Sequence, residues 1–480
     1  MLSVPSDGAG FPRVCPVCGE ESDSLLCERD GVKTFSLKTV AGRFVRLKGD
    51  LAGSELLRAS KFGYDLRVDT DRVKDWGVFK EELVLYFTAL EELYRPRIVV
   101  FSRDHRRKGE LFQQAFETYA RECGLETCVV GKPVSTTMSP YLGAMFSFLE
   151  KKPVMALHST ASHNPPNYNG VKVHAGRFDK GIFPDGLEFS ETVGGEVVES
   201  YVRWCTQFSP YGGELSIDLS NGAGVIPLPP MASRLFPRAR FFNDRLLQDF
   251  GGLRPEPGWT VSWKGFGVAF DGDADRCPFY MDSRMIFFSR FLSGMVKEGL
   301  FRARKVVADQ RTPPSIIGFL ESCGVKVVVG NIGNTNQSII SRRENALWFE
   351  ENWHSGGYPV DGNRFYWGEA PFAVAFWLDK LKVSPERLLE GVPAFEYREE
   401  RFQVAPGFNS RVVEFAEKKG MDYSTLPTGG LRLEEEDGHI LFRESNTEIG
   451  TAKVFVTGSS PLVLEKKLAF ARKLIASMER

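Results

Sequence analysis

From about residue 78 the chain alternates short apolar bursts with stretches whose apolar residues recur at helical spacing, and this alternation constrains the fold more than any other feature. The bursts include Ile98–Phe101, Cys128–Val130, Val154–Leu157, Leu215–Leu219, Phe266–Phe270, Lys305–Ala308, Val325–Val329 and Leu347–Phe349. Helix-like stretches lie among them: Val78–Leu93, Glu110–Cys123, Met138–Leu149, Ser289–Lys297, Pro314–Cys323 and Phe372–Leu381. A strand that is apolar on both faces must be covered on both faces. The pattern therefore predicts α/β architecture, with parallel or mixed sheets carrying helices on each side. After about residue 392 the order changes. Strand-like Tyr397–Val404, Leu431–Leu433, Ile440–Arg443 and Ala452–Thr457, with helix-like Ser410–Lys418 and Leu462–Met478, predict a smaller α+β domain. Residues 1–58 differ again, being Gly-rich, with crowded cysteines and no long amphipathic stretch.

Length and charge narrow the function classes. At about 100–200 residues per domain, 480 residues make three or four domains. A formal net charge of −1 offers no global footprint for nucleic acid or an anionic membrane. No apolar run approaches the roughly 18–20 residues that a membrane span needs. The segment Met1–Gly10 lacks the basic and apolar regions of a secretory signal. Eight cysteines are too sparse for a disulfide scaffold in a chain this long. The expectation is a cytoplasmic protein.

Four loops carry chemistry, each following a strand-like burst, where ligands bind in open α/β sheets. The first runs from His158 through Ser162, His163 and Asn164 to Lys172. A serine beside a histidine, with a lysine near, suits a nucleophile or phosphoryl acceptor. The same residues also make an ordinary polar turn, and composition does not separate the two readings. The second is Asp271-Gly-Asp273-Ala-Asp275-Arg276. Three carboxylates at alternate positions form a nest of hard oxygen ligands for Mg²⁺ or Ca²⁺. An EF-hand is excluded because Arg276 stands where the turn glycine belongs. Three carboxylates without partners would repel one another unless a cation sat among them. The third loop, Phe349–Gly357, offers Glu350, Asn352 and His354 to sugar hydroxyls. The fourth, Arg443–Gly450, groups Arg443, Ser445, Asn446 and Thr447 into an anion cradle.

Taken in this order, the segments resemble the α-D-phosphohexomutase superfamily. Thr160–Pro165 is similar to its phosphoserine signature, Asp271–Arg276 to its metal loop, Glu350–Asn352 to its sugar loop and Arg443–Thr447 to its phosphate loop. Tyr64-Asp-Leu-Arg67 resembles a weaker motif near the start of the first domain, which adds Tyr64 and Arg67 to the substrate-binding candidates. The resemblance implies three related α/β domains and a smaller α+β domain around a central cleft. The boundaries would be 59–200, 201–285, 286–392 and 393–480, after an extension of residues 1–58. It also implies a mutase that moves phosphoryl between the 1- and 6-positions of a hexose phosphate through phospho-Ser162 and a bound sugar bisphosphate. Mg²⁺ would sit on Asp271, Asp273, Asp275 and a phosphoserine oxygen, with a sugar bisphosphate as primer. His163, Asn164, Lys172 and Arg276 would surround the phosphoryl group. Glu350 and Asn352 would read ring hydroxyls, while Arg443, Ser445, Asn446 and Thr447 would anchor the non-reacting phosphate. A hexosamine or pentose phosphate mutase, or a non-catalytic sugar-phosphate-binding descendant, are the alternatives. The expected partner is thus a small sugar phosphate, with no nucleic acid and no membrane.

The chain departs from the family at specific places. Where many members carry a Lys before Gly-His in the third domain, this chain reads Asn331-Ile-Gly333-Asn334. Phe349 replaces the Gly that opens the sugar loop, and His354 falls where some members place a candidate acid/base. Phe250–Pro257 resembles the segment before the family's metal loop, and the stretch from Pro257 to that loop is shortened. In the extension, Cys15, Cys18, Cys27 and Asp30 have zinc-ribbon spacing with Asp as the fourth ligand. The reading is a structural zinc knuckle, and the alternative is a degenerate knuckle with no metal.

Overall fold

The computed structural model describes residues 37–49, 53–62, 65–176, 192–258, 261–330, 332–360, 363–405, 407–425, 430–435, 437–444 and 450–478. The chain forms two compact units: Met1–Met285 with Tyr358–Asp379, and Ile286–Gly357 with Lys380–Arg480. The architecture is mixed α/β, as the alternation predicts, and the strand-like bursts become strands at the expected places.

In the first unit, Ile98–Phe101 is fully buried, the condition for a strand covered on both faces. The helix Trp76–Tyr94 covers one face. Asp75 caps it by accepting from the N–H groups of Gly77 and Val78 at 2.9 and 3.1 Å. Phe87 on this helix meets Phe101 on the strand and Phe116 on the helix Gly109–Cys123, with centroids 6.3 and 5.8 Å apart. The last helix of the unit, Ala370–Lys380, is buried along most of its length, including Phe372, Phe376 and Trp377.

Strand order exposes a repeat. The sheet around Ile98–Arg103 runs Glu126–Val130, Ile98–Arg103, Val154–Ser159, Tyr168–Gly176, the first three parallel and the last antiparallel. A second sheet runs Ala239–Phe242, Leu215–Asp218, Phe266–Ala269, Phe279–Met281 with the same directions. In the second unit a third runs Lys326–Gly330, Lys305–Asp309, Leu347–Phe349, Ser355–Gly356, again three parallel and one antiparallel. The first strand of each copy leads into an aspartate whose Oδ1 accepts the N–H two residues on. These turns are Asp104 to Arg106 at 3.0 Å, Asp218 to Ser220 at 2.7 Å and Asp309 to Arg311 at 2.6 Å. The three α/β modules are thus built to one plan, and the Ser162, Asp271 and Glu350 loops occupy the same place in each, between its third and fourth strands.

A further sheet in the second unit, Glu396–Gln403, Thr451–Gly458, Gly438–Glu444, Leu431–Glu435, Ser424–Thr425, is antiparallel throughout. Helices Phe408–Lys418 and Pro461–Met478 pack on it through Val412, Ala416, Leu468 and Leu474. This is the expected α+β element order.

One expectation fails. The sequence pattern predicts no long amphipathic stretch in residues 1–58, yet Leu37–Lys48 is a helix. Its Val40 and Phe44 are fully buried in the core of the first module, against the helix Trp76–Tyr94. Basic residues crowd the stripe and hide it, and Lys48 pairs with Glu82 at 2.8 Å. No helix among the described residues is long and apolar enough to cross a membrane.

Candidate active site

The site is built from the loop after Val154–Ser159. Ser162 has a left-handed backbone, φ +54°, a conformation that costs a non-glycine residue about 1–3 kcal/mol. The surroundings enforce it. Arg106, fully buried, donates to the carbonyl oxygens of Asn164, Pro165 and Tyr168 at 3.0, 2.9 and 3.1 Å and to that of Ser162 itself. Asp104 Oδ2 holds the guanidinium at 3.2 Å. Thr160 Oγ1 lies 2.7 Å from Asp104 Oδ2 and accepts the Ser162 N–H at 3.0 Å. Arg67, also buried, donates to the Thr160 carbonyl at 3.2 Å and pairs with Asp65 at 3.1 Å. Gly170 is required on the return strand, because a Cβ there would lie 2.0 Å from the Leu66 carbonyl oxygen.

Against this loop sits Asp271–Arg276. Ser162 Oγ lies 3.3 Å from Asp271 Oδ2 and 3.4 Å from His163 Nδ1, and Arg276 Nη1 is 2.8 Å from the same His163 nitrogen. Asp271 Oδ1 accepts the N–H groups of Asp275 and Arg276 at 3.0 and 3.2 Å, which folds the acidic turn back on itself. The close approach depends on Gly272: a Cβ there would meet Pro255 Cβ, Phe250 Cε1 and the Ser162 carbonyl at 2.8, 2.9 and 3.0 Å.

Asp271, Asp273 and Asp275 are buried, with ligand oxygens all within 4.8 Å of one another. Contrary to the expectation of carboxylates without partners, Lys172 Nζ bridges Asp273 and Asp275 at 2.7 and 2.5 Å. Burial, with Asp275 and Asp273 alongside, pushes Asp271 well above the usual carboxylate range. Burial and Asp275 push Asp273 the same way, but Lys172 and the Thr136 hydroxyl prevail and hold it below its ordinary value. Lys172 and Arg276 bring two positive charges to the three carboxylates, and a divalent cation would further favour the ionised form of all three. Asp273 Oδ1 is buried without a hydrogen-bond partner, while its Oδ2 takes Lys172 at 2.7 Å and Thr136 at 2.6 Å. An all-oxygen donor set with a free buried oxygen fits Mg²⁺.

Known proteins resemble this chain in sequence and in fold. Residues 79–178 match the family model for phosphoglucomutase/phosphomannomutase, alpha/beta/alpha domain I. A phosphoglucomutase/phosphomannomutase of Thermococcus kodakarensis is 26% identical over 438 residues, 78% of this chain and 91% of that one. A phosphoglucosamine mutase of Methanococcus vannielii is 23% identical over 397 residues, 73% and 85% of the two chains. The fold is that of a phosphoglucomutase/phosphomannomutase family protein from Burkholderia thailandensis, with TM-score 0.69, 20% identity, and 89% and 98% of the chains covered. The chain is thus similar to phosphoglucomutase/phosphomannomutase domain I over residues 79–178, and over most of its length to phosphohexomutases.

In the second unit the third module carries the sugar-loop candidates. Glu350 follows Leu347–Phe349, and the turn closes through Glu350 N–H to the His354 carbonyl at 2.7 Å. Glu350 Oε2 faces His354 Nδ1 and Arg311, both at 3.3 Å, while its Oε1 accepts the Gly333 N–H at 2.5 Å. Burial opposes the charge on Glu350, yet His354 and Arg311 prevail and hold it down at about 2. Its neighbour goes the other way: burial, with Asp309 near, pushes Glu351 up to about 7. Glu351 accepts from the hydroxyls of Ser289 and Thr312 at 2.9 and 2.7 Å. Asn352 Oδ1 lies 3.5 Å from Arg311 Nη2. Arg443 and Arg311 stand 5.8 and 5.6 Å from the centroid of the Phe455 ring.

The structure thus gathers Ser162, His163, Lys172, Arg276, Asp271, Asp273, Asp275 and Arg67 in the first unit, with Asn164 in the same turn. Glu350, Asn352 and His354 meet in the second. Tyr64, Asn331, Ser445, Asn446, Thr447, Cys15, Cys18, Cys27 and Asp30 lie outside the described residues. Sequence reasoning missed Asp104, Arg106, Asp309 and Arg311. The signal was an Asp-x-Arg after a buried strand, present twice at matching places in the modules.

Proposed function

We propose that this chain is a phosphosugar mutase that moves a phosphoryl group between the 1- and 6-positions of a hexose phosphate. The carrying observation is Ser162 Oγ, held by a left-handed backbone 3.3 Å from Asp271 Oδ2 at the buried acidic triad. Phospho-Ser162 transfers its group to the free hydroxyl of the sugar monophosphate. The P–O bond to the serine breaks as that to the sugar oxygen forms, giving a bisphosphate and the free serine. The bisphosphate turns over and returns its other phosphoryl group to Ser162. Asp271, Asp273 and Asp275 would hold Mg²⁺, which when bound supplies positive charge where phosphoryl transfer develops negative charge. Arg276 and His163 orient Ser162, and Lys172 bridges Asp273 and Asp275 and holds them aligned.

Glu350 and Asn352 are assigned to the sugar hydroxyls, and Arg443 with Ser445–Thr447 to the non-reacting phosphate. His354, paired with Glu350, is the proposed proton-transfer group. The test is phosphorus NMR of the chain with Mg²⁺, a hexose 1-phosphate and a trace of hexose 1,6-bisphosphate, repeated with hexosamine and pentose phosphates. Conversion of hexose 1-phosphate to 6-phosphate is expected, and Ser162→Ala should lower the rate at least ~10³-fold. A fully active Ser162→Ala ends the proposal. Binding without turnover of any sugar selects the non-catalytic descendant, and turnover confined to a hexosamine or pentose reassigns the substrate.

A further inference from the structure

We propose that Glu369 is a positioning residue for the metal cradle, setting the orientation of Asp273 through Tyr201 and the Thr136–Thr137 turn. Glu369 immediately precedes the helix Ala370–Lys380 and is fully buried within the first unit. Its Oε2 accepts the indole N–H of Trp367 at 3.1 Å, and its Oε1 shares a hydrogen bond with the Tyr201 hydroxyl. Tyr201 Oη is 2.8 Å from Thr137 Oγ1, which is 3.0 Å from Ser135 Oγ. The adjacent Thr136 reaches the acidic loop twice, with its N–H on the Asp273 carbonyl at 3.0 Å and its hydroxyl on Asp273 Oδ2 at 2.6 Å.

The chain of bonds ends on a candidate metal ligand and decides which of its oxygens is free. Lys172 and Thr136 both claim Asp273 Oδ2, and Thr160 Oγ1 lies 3.2 Å from it. Oδ1 is therefore the oxygen left for a cation. Were the 135–137 turn to shift, Thr136 would release Oδ2 and the carboxylate could rotate. Tyr201 is itself fixed, with the Tyr141 ring edge-on at 5.3 Å and Trp204 at 5.9 Å. Burial pushes Glu369 up to about 8, against the hydrogen bonds that Tyr201, Trp367 and Thr137 give it. A glutamine keeps a carbonyl oxygen that accepts and the same shape, whereas an alanine leaves a buried N–H and hydroxyl unmet. Outer contacts of this kind typically change metal affinity about 10–100-fold when removed.

This inference rests on the metal reading of the triad, and its test separates the two. Mn²⁺ serves as the probe for the Mg²⁺ site, with free Mn²⁺ followed by electron paramagnetic resonance during titration of the full-length, dephosphorylated chain. Glu369→Ala and Tyr201→Phe are expected to weaken Mn²⁺ binding about 10-fold, and Glu369→Gln to stay within about twofold of wild type. Phe376→Leu serves as a control for general loosening. Phe376 is buried in the same unit, 4.9 Å from the Tyr358 ring, and is not one of the network's side chains. Should Glu369→Ala fail to fold, Tyr201→Phe carries the test. Wild-type affinity in Tyr201→Phe, or an equal loss in a Phe376→Leu of matched melting temperature, overturns the inference. Absence of Mn²⁺ binding to the wild type removes the metal reading and this inference together.

Discussion

Arg106 shows how much of the site depends on one buried side chain. Its guanidinium holds four carbonyl oxygens of the Ser162 loop, and Asp104 supplies the counter-charge. Arg106→Met removes the donors and strands a buried carboxylate, so we expect a loss of about 3–5 kcal/mol, read from the urea midpoint. Asp104→Asn in the same chain should recover part of it; no recovery would mean that Asp104 is not the stranded charge. Glu369 gives a pH signature of definite sign. Its folded-state value of about 8 lies above the ordinary 4.5, so the folded chain keeps a proton that the unfolded chain has released. The associated stability is fully present below about 4.5 and is lost as pH rises towards 8. Urea midpoints should therefore fall across this range, and less steeply in Glu369→Gln. Identical slopes would show that Glu369 does not titrate there. The Ser162 turn was legible because Ser-His-Asn-Pro is local chemistry. Glu369 was not, because its partner Tyr201 is 168 residues away and a lone Glu beside a helix start reads as a surface cap.

At the scale of elements, the chemistry lives in one loop position used three times. Ser162, Asp271 and Glu350 all follow the third strand of a module, where the chain leaves the sheet before an antiparallel return. The alternation in the sequence showed the strands because burial on both faces leaves a continuous apolar run. It did not show the helix Leu37–Lys48, whose narrow stripe of Val40 and Phe44 is set among lysines and arginines. The acidic turn can approach the Ser162 turn only because Gly272 has no side chain. Gly272→Ala should separate the loops and lower phosphoryl transfer at least ~10-fold through misplacement. The bulk fold should remain, as near-unchanged far-ultraviolet circular dichroism would show. A fully active Gly272→Ala would show that the loops tolerate separation.

At the scale of the whole molecule, the first unit is discontinuous: Tyr358–Asp379 completes a body whose other part ends at Met285. This returning segment brings Phe365, Trp367 and Phe372 onto Trp204, with centroids 5.0, 6.2 and 4.6 Å away. A chain ended after Met285 therefore exposes that aromatic cluster and loses Glu369. We expect it to melt well below the full-length protein and to bind hydrophobic dyes. A melting temperature equal to the full chain's would contradict this.

The sequence alone determined the α/β class, the order of elements and the residues of the Ser162, Asp271 and Glu350 loops. These depend on hydrophobic period and on turn chemistry within a few residues. Only the tertiary structure decided that Lys172 pairs with Asp273 and Asp275, 101 and 103 residues on, and that Arg106 wraps the Ser162 turn. It also decided that a segment lying between parts of the second unit supports the acidic cradle of the first. Local pattern fixes whether a side chain is buried; which partner it meets depends on the convergence of distant loops.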